Sequence, residues 1–390
     1  MYVREFLHKM LSSVMHKKRL ETLSLLVKAT LRNKRLSLTE LGREIDLPIQ
    51  ERSGIRRVDR FLGNKKLHKE REMIYKTHIK NLIGSKFHPD IIVDWSNIPN
   101  TTNHTLRAAL SLKGRAITLY DEVHPENQLE NKNVQNRFLY RLKALFPEQC
   151  CPIIITDGGF HNDWFREIVK LGWDYLGRIR AGSGKKYSQE ANVEWKTCAS
   201  LMKKATSIPK YLGKVLLCKH NPMNSYLYIF KGKSKGRTEL NRYGERRFGP
   251  NSFKYREAAN EPWLLATSLH KGYCMPKKVV KKYSTRMQIE EGFRDLKSSR
   301  YGFGFENAHS KKVGRIEILL LIATIASYIA WLIGWLAEKN GLHYQFQSNS
   351  VKTRKILSYF FLGCRIVKKK IIITLGMLQT AMEEVSCYVL

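Results

Sequence analysis

The chain has 390 residues, 43% of them hydrophobic, and a formal charge of +35. That length and apolar content support a large core and more than one domain, while the charge exceeds anything an ordinary metabolic enzyme needs and points to a polyanion, because Lys and Arg neutralise phosphates and release counterions. A membrane surface is the competing polyanion, but 11% aromatic content and regular apolar runs exclude a disordered basic tail.

Residues 1–85 read as a basic helical domain. Leu20, Leu23, Leu25, Leu26 and Val27 form one apolar run. Ser37 is a predicted N-cap, with Glu40 three residues on as in a capping box, and Leu38, Leu41 and Ile45 mark the buried face that follows. Beyond a turn at Pro48, Ile55, Val58, Phe61 and Leu62 mark another helix, which carries Arg52, Arg56, Arg57 and Arg60 on its other faces. Helix, short turn, arginine-rich helix is the order of a helix-turn-helix reader; a basic bundle that only grips phosphate fits the same pattern. Either way the expected partner is nucleic acid.

From residue 86 the pattern turns to alternating strands and helices. Ile91, Ile92 and Val93 predict a buried strand leading into Asp94. Ala108–Leu112 and Ala116–Tyr120 flank Lys113-Gly114, a hairpin signal. An amphipathic helix over Val134–Phe146 precedes a second buried strand, Pro152–Thr156, which ends at Asp157-Gly158-Gly159. A helix over Trp164–Leu171 and a strand over Trp173–Ile179 follow. Three strands, helix, strand, helix, strand is the order of a ribonuclease H-like fold, whose first part is set at 86–181.

Residues 182–262 are rich in Gly, Lys and Arg, with short strand-like pieces at Val215–Leu217 and Leu227–Phe230. They read as an inserted β-rich domain with a basic loop over 231–237. That loop lacks the G-x-x-x-x-G-K-[ST] order of a phosphate loop. The core resumes over 263–340 with a strand at Trp263–Thr267, a helix over Tyr283–Lys297, and a nearly all-apolar run from Ile318 to Ala337. That run is long enough to span a bilayer, but it stands alone in a very basic chain and reads better as a buried central helix. Residues 341–390 form a basic, mostly helical C-terminal segment.

On a helix turning about 100° per residue with Tyr283 at zero, Arg286 falls at about −60°, Glu290 at about −20° and Lys297 at about −40°. Ile289, Phe293 and Leu296 form an adjoining core-facing stripe. One continuous helix over 283–297 would therefore present a row of cation, carboxylate and cation beside its buried face. A solvated face with a weak Glu290–Arg294 pair is the plainer reading. Glu291 points about 100° away from Glu290, so the two are not interchangeable.

Asp94 and Asp157 end buried strands, and carboxylates there are poor strand formers but good ligands. Each alone reads as a turn residue. With Glu290 they make a set of three carboxylates whose mutual repulsion needs a cation. Two divalent ions about 4 Å apart would bridge such a set and serve phosphoryl transfer, with Mg²⁺ suited to oxygen ligands and Mn²⁺ a possible substitute.

The spacing Tyr283-x₂-Arg286-x₃-Glu290-x₆-Lys297 resembles the signature of the IS-four family of bacterial DDE transposases. Val93–Ser96, Asp157–Phe160, Glu261–Thr267 and Leu62–Glu70 resemble that family in matching order, so the resemblance covers nearly the whole chain. It implies a triad of Asp94, Asp157 and Glu290 holding two Mg²⁺ ions, and an inserted β domain before the glutamate. It implies cut-and-paste transposition through nicking, hairpin formation and opening, and strand transfer on double-stranded DNA, with a homodimer bridging paired ends. Tyr283, Arg286 and Lys297 would contact terminal phosphates and a flipped base, and Trp263 would stack on that base; its plainer role is a buried strand tryptophan.

The seven cysteines (Cys150, Cys151, Cys198, Cys218, Cys274, Cys364 and Cys387) are odd in number and lack C-x-x-C spacing. Neither a disulfide framework nor a zinc ribbon is expected, and a reducing cytoplasm fits. Arg4, His8 and Lys9 interrupt the N-terminal apolar pattern, unlike a signal peptide. The competing functions are a ribonuclease H-like nuclease that does not join strands, a DNA-binding regulator without catalysis, and a membrane protein with a basic cytosolic domain.

Overall fold

Periodicity in the sequence becomes structure in a simple order. Helices α1 (Val3–Leu11), α2 (Lys17–Asn33), α3 (Leu38–Arg43), α4 (Glu51–Leu62) and α5 (Lys65–Ile83) come first. Strands β1 (Asp90–Asn97), β2 (Asn103–Leu112) and β3 (Arg115–Pro125), helix α6 (Lys132–Leu145), strand β4 (Ile153–Thr156), helix α7 (Asn162–Lys170) and strand β5 (Asp174–Ile179) follow. Next come β6 (Lys186–Ser188), β7 (Lys196–Thr197), β8 (Lys210–Leu217), β9 (Met223–Phe230) and β10 (Trp263–Thr267). Helices α8 (Pro276–Ser284), α9 (Met287–Lys297), α10 (Val313–Lys339), α11 (Tyr359–Lys368) and α12 (Leu375–Cys387) complete the chain. This is a computed structural model; it describes residues 3–189, 194–233, 245–246, 248–250, 252–253, 260–270, 276–351 and 353–387. It divides into two compact units, Met1–Pro152 with Met287–Leu390, and Ile153–Arg286.

In the first unit, β1, β2 and β3 form an antiparallel meander in which Asp94 stands opposite Arg107, and Arg107 opposite Asp121. Gly114 turns the β2–β3 hairpin at φ +78°, where a side chain would be strained. The helix start predicted at Ser37 is present, and the structure adds one at Asn64. Ser37 Oγ accepts the Glu40 N–H at 3.4 Å, and Asn64 Oδ1 accepts those of Lys66 and Leu67 at 3.0 and 3.1 Å. The long apolar run is α10. By length and composition it passes for a membrane span, yet 89% of its most apolar window is buried inside the protein. Helix α11 crosses it with backbones nearly touching: a Cβ on Gly363 would overlap the Ala330 carbonyl, and one on Gly334 the Tyr359 carbonyl. Gly363→Ala is therefore expected to cost about 2 kcal/mol, because overpacking outweighs alanine's better helix propensity. A lowered denaturant midpoint at unchanged slope would register it.

His78 of α5 is buried between β3 and α10, its Nε2–H donating to the Thr118 carbonyl at 2.9 Å and its ring edge-on to Tyr328. Nδ1 has no partner. Burial lowers its pKa from 6.5 to about 4. Above pH 6.5 both folded and unfolded states are neutral and nothing changes. Between pH 6.5 and 4 only the unfolded chain takes the proton, so stability falls with acid, by about 3 kcal/mol across the window. His78→Gln keeps a donor for Thr118 and should remove that part of the acid loss in pH-dependent denaturation.

In the second unit, β4 runs parallel to β5, β10 pairs antiparallel with β5 and with β9, and the order is β4-β5-β10-β9-β8-β6-β7. The strands found within 182–262 thus continue this sheet beyond β10. Residues 234–237 of the predicted basic loop lie outside the described residues.

The single helix predicted over 283–297 does not form. It is broken between Ser284 and Met287. Ser284 and Thr285 donate their hydroxyls back to the Lys281 and Lys282 carbonyls at 2.6 and 2.7 Å. The Thr285 and Arg286 N–H groups bond only three residues back, to Lys282 and Tyr283. Adjacent hydroxyls competing for helix carbonyls end the run. Tyr283 and Arg286 consequently belong to one unit, and Glu290 and Lys297 to the other.

Candidate active site

On the first unit, fully buried Ile91, Ile92 and Val93 anchor β1, but half-buried Asp94 does not end that strand as predicted: β1 runs on to Asn97, pairing with β2, and Asp94 sits within it. Asp94 Oδ1 accepts the Trp95 N–H at 2.9 Å. Across the sheet Arg107 donates to both oxygens of Asp121, at 2.7 and 3.0 Å, with both residues buried. Its guanidinium lies 4.7 Å from the centre of the Phe293 ring on α9. The predicted core stripe holds: Ile289, Phe293 and Leu296 are buried.

Glu290 and Lys297 share a face of α9, a separation of about 20° in projection. Lys297 Nζ donates to Ser96 Oγ at 2.8 Å and to Asn97 Oδ1 at 2.9 Å, just past Asp94 on β1. Burial, then repulsion from Arg107, lowers its pKa to about 8, and Asp94 acts in the opposite direction. Glu291 does something different: with Asp295 it holds the Arg115 guanidinium, with the Asp295 bond at 2.8 Å. Arg294 lies over the Tyr301 ring.

On the second unit, the buried strand β4 delivers Asp157. Asp157 Oδ1 accepts the Gly159 N–H at 2.8 Å, an Asx turn. Arg180 approaches Oδ2 to 3.6 Å, and its stem crosses Gly158 so closely that a Cβ there would stand 2.6 Å from Arg180 Cγ. Arg178 is fixed by Glu261 at 2.7 Å, and the same carboxylate accepts the Ala181 N–H at 2.6 Å. Trp263 is half-buried at the start of β10, edge-on to Tyr283 at 5.0 Å and to Phe230 at 5.9 Å. Tyr283 is buried, and burial pushes its hydroxyl pKa up to about 12, with Arg286, Arg178 and Arg180 pulling it back. Tyr283 therefore packs under Trp263 and does not stand on an open helix face as predicted.

Arg56, Arg57 and Arg60 are exposed on α4. Helices α3 and α4 touch through their backbones: a Cβ on Gly54 would overlap the Gly42 carbonyl. Arg315 ties α10 to Asp59 of α4 at 2.6 Å, beside a cleft of about 550 Å³ lined also by His309, Lys311 and Lys312.

Sequence reading missed Arg107, Arg178 and Arg180, and the hydrogen bonds of Lys297 to Ser96 and Asn97. Arg178 and Arg180 carried a signal, two cations at alternate positions leaving a strand on one face. Arg107 carried none, since its place opposite Asp94 depends on a register set by the β1–β2 turn.

The transposase DDE domain model matches residues 85–329. The chain belongs to that family. It is thus a transposase, a DNA-cleaving enzyme whose partner is DNA, in a family that normally uses divalent metal ions. No curated protein matches the chain. Among the described residues no three or more His, Cys, Asp or Glu side chains are gathered into a metal cluster. The metal assignment therefore rests on donor type. Asp94 and Asp157 each have an oxygen on a backbone N–H, and carboxylate oxygen is the donor type that hard divalent cations take.

Proposed function

We propose that this DDE transposase performs cut-and-paste transposition of an insertion sequence of the IS-four group, with Asp94, Asp157 and Glu290 as its catalytic carboxylates. The observation that carries the reading is Lys297. It is tied to β1 just past Asp94, and it shares a helix face with Glu290. A motif recognised by spacing thereby coincides with a built contact between α9 and β1.

The three carboxylates would hold two Mg²⁺ ions, with Mn²⁺ as substitute. Such ions, when bound, activate a water or a 3′-hydroxyl and stabilise the leaving oxygen. The protein's own groups orient DNA. Arg286, beside Tyr283, would supply a cation for a phosphate. Lys297 adds another beside Asp94. Trp263, half-buried with Tyr283 packed edge-on, offers an indole to an unstacked base. Exposed Arg56, Arg57 and Arg60 on α4 would grip terminal-repeat DNA, in helix-turn-helix fashion or by phosphate contact alone. Two protomers would bridge paired ends in a bacterial cytoplasm.

The test is a strand-transfer assay with Mg²⁺, the DNA ends flanking the reading frame, a supercoiled target and Asp157→Asn as control. Ends joined to target by the wild type alone establish the reading. Nicking without hairpins or joining would mean a nuclease, and binding without metal-dependent chemistry a regulator. Within the reading, Trp263→Ala should slow hairpin formation about tenfold more than the first nick, because only the hairpin step needs the base held out. Equal loss at both steps would make the tryptophan structural.

A further inference from the structure

A lysine ammonium has three donors and no acceptor. Lys297 places one on Ser96 Oγ at 2.8 Å and one on Asn97 Oδ1 at 2.9 Å. The Phe293 ring, 5.5 Å from Nζ, limits where the chain can swing. Both acceptors are short side chains on a strand, so little rotamer freedom is lost in presenting them. Both are also neutral. A carboxylate at either place would hold the ammonium more tightly, but would cancel the charge that an incoming anion needs. Hydroxyl and amide oxygens fix position and leave the charge intact.

We propose that Ser96 and Asn97 are positioning residues that hold the Lys297 ammonium at the end of β1, with its remaining donor kept for a DNA phosphate beside Asp94. The identity of the anion rests on the transposase reading; the clamp rests on the hydrogen bonds. Placing Lys297 on the strand that carries Asp94 gives the phosphate contact and that carboxylate a common frame. A slip of one then moves the other.

Two measurements test this on the full chain. The first needs no DNA and no activity: the rate at which a water-soluble N-hydroxysuccinimide acetate modifies Lys297, read by peptide mass spectrometry. Removing both acceptors, in Ser96→Ala/Asn97→Ala, should raise that rate about fivefold, the size of effect expected from losing weak net hydrogen bonds, and Ser96→Thr should leave it unchanged. An unchanged rate in the double variant overturns the clamp.

The second is single-turnover nicking of a duplex carrying the flanking DNA ends, with Mg²⁺, beside the Kd for the same duplex. The double variant should nick about tenfold more slowly with Kd within about twofold, since misplacement acts on the reacting geometry more than on overall affinity. Ser96→Thr should restore the rate to within about threefold of wild type. Asn97→Asp is the discriminating variant. It should keep Lys297 protected from acetylation yet nick poorly, because the charge is cancelled. Full nicking by Asn97→Asp, or a loss in the double variant that threonine does not restore, overturns the positioning role. Absence of nicking by the wild type defeats the transposase reading, while the acetylation rates still decide the clamp.

Discussion

Glu290→Gln is expected to lower single-turnover nicking by about 10³-fold, or ~4 kcal/mol of barrier, with binding of the DNA ends retained. Glu291→Gln should stay within about threefold of wild type, the scale of a partly exposed ion pair. The two residues are adjacent and chemically identical, so the contrast isolates position. Glu291 points to the β2–β3 hairpin, where it shares Arg115 with Asp295, and its own side chain is 41% exposed. Its loss leaves Arg115 paired with Asp295. Glu290 lies on the face whose other end is fixed to β1 through Lys297. An uncharged amide there keeps the shape and removes the anionic oxygen that a divalent ion requires. Matched thermal midpoints for both variants would exclude unfolding as the cause. Comparable nicking by the two would sink the assignment of Glu290.

What the sequence made legible follows from what is local. Ile91–Val93 and Ile153–Ile155 are fully buried runs that lead to an aspartate, directly at Asp94 and after buried Thr156 at Asp157, and runs of that kind need no knowledge of partners. The hairpin at Lys113-Gly114 and the cap at Ser37 were equally local. The helix over 283–297 failed for a local reason too, but one that periodicity does not weigh: Ser284 and Thr285 donate to carbonyls within their own turn. The angular reading survives on α9, where Glu290 and Lys297 keep their shared face, and is lost for Tyr283, which is buried against Trp263. Long-range register was invisible. Arg107 faces Asp94 only because of how β2 pairs with β1, and Glu261 meets Arg178 from 83 residues away. The strands of 182–262 looked like an insertion because their spacing and basic composition break the pattern, while their pairing with β10 is a fact of topology.

Asp121→Ala is expected to cost about 3–5 kcal/mol of stability, more than any other single change considered for the first unit. Arg107 has 4% of its side chain exposed and takes both oxygens of a wholly buried carboxylate. Removing Asp121 strands that guanidinium in a buried site, and the Thr105 hydroxyl loses its acceptor as well. Arg107→Met strands the carboxylate and should cost a similar amount. The pair itself is a different matter: charges drawn from water gain little net energy from meeting. The double variant Arg107→Met/Asp121→Leu should therefore recover much of the stability lost by either single change, a coupling of about 3 kcal/mol in denaturant unfolding. Activity should not recover with it. The guanidinium lies against Phe293, on the helix that carries Glu290 and Lys297, and on the strand position opposite Asp94. A methionine fills the volume but does not supply a planar cation against that ring. A double variant that folds well and nicks poorly would show that the buried pair is kept for the placement of α9 against β1. Additive stability losses, or full nicking by the stable double variant, would refute that account.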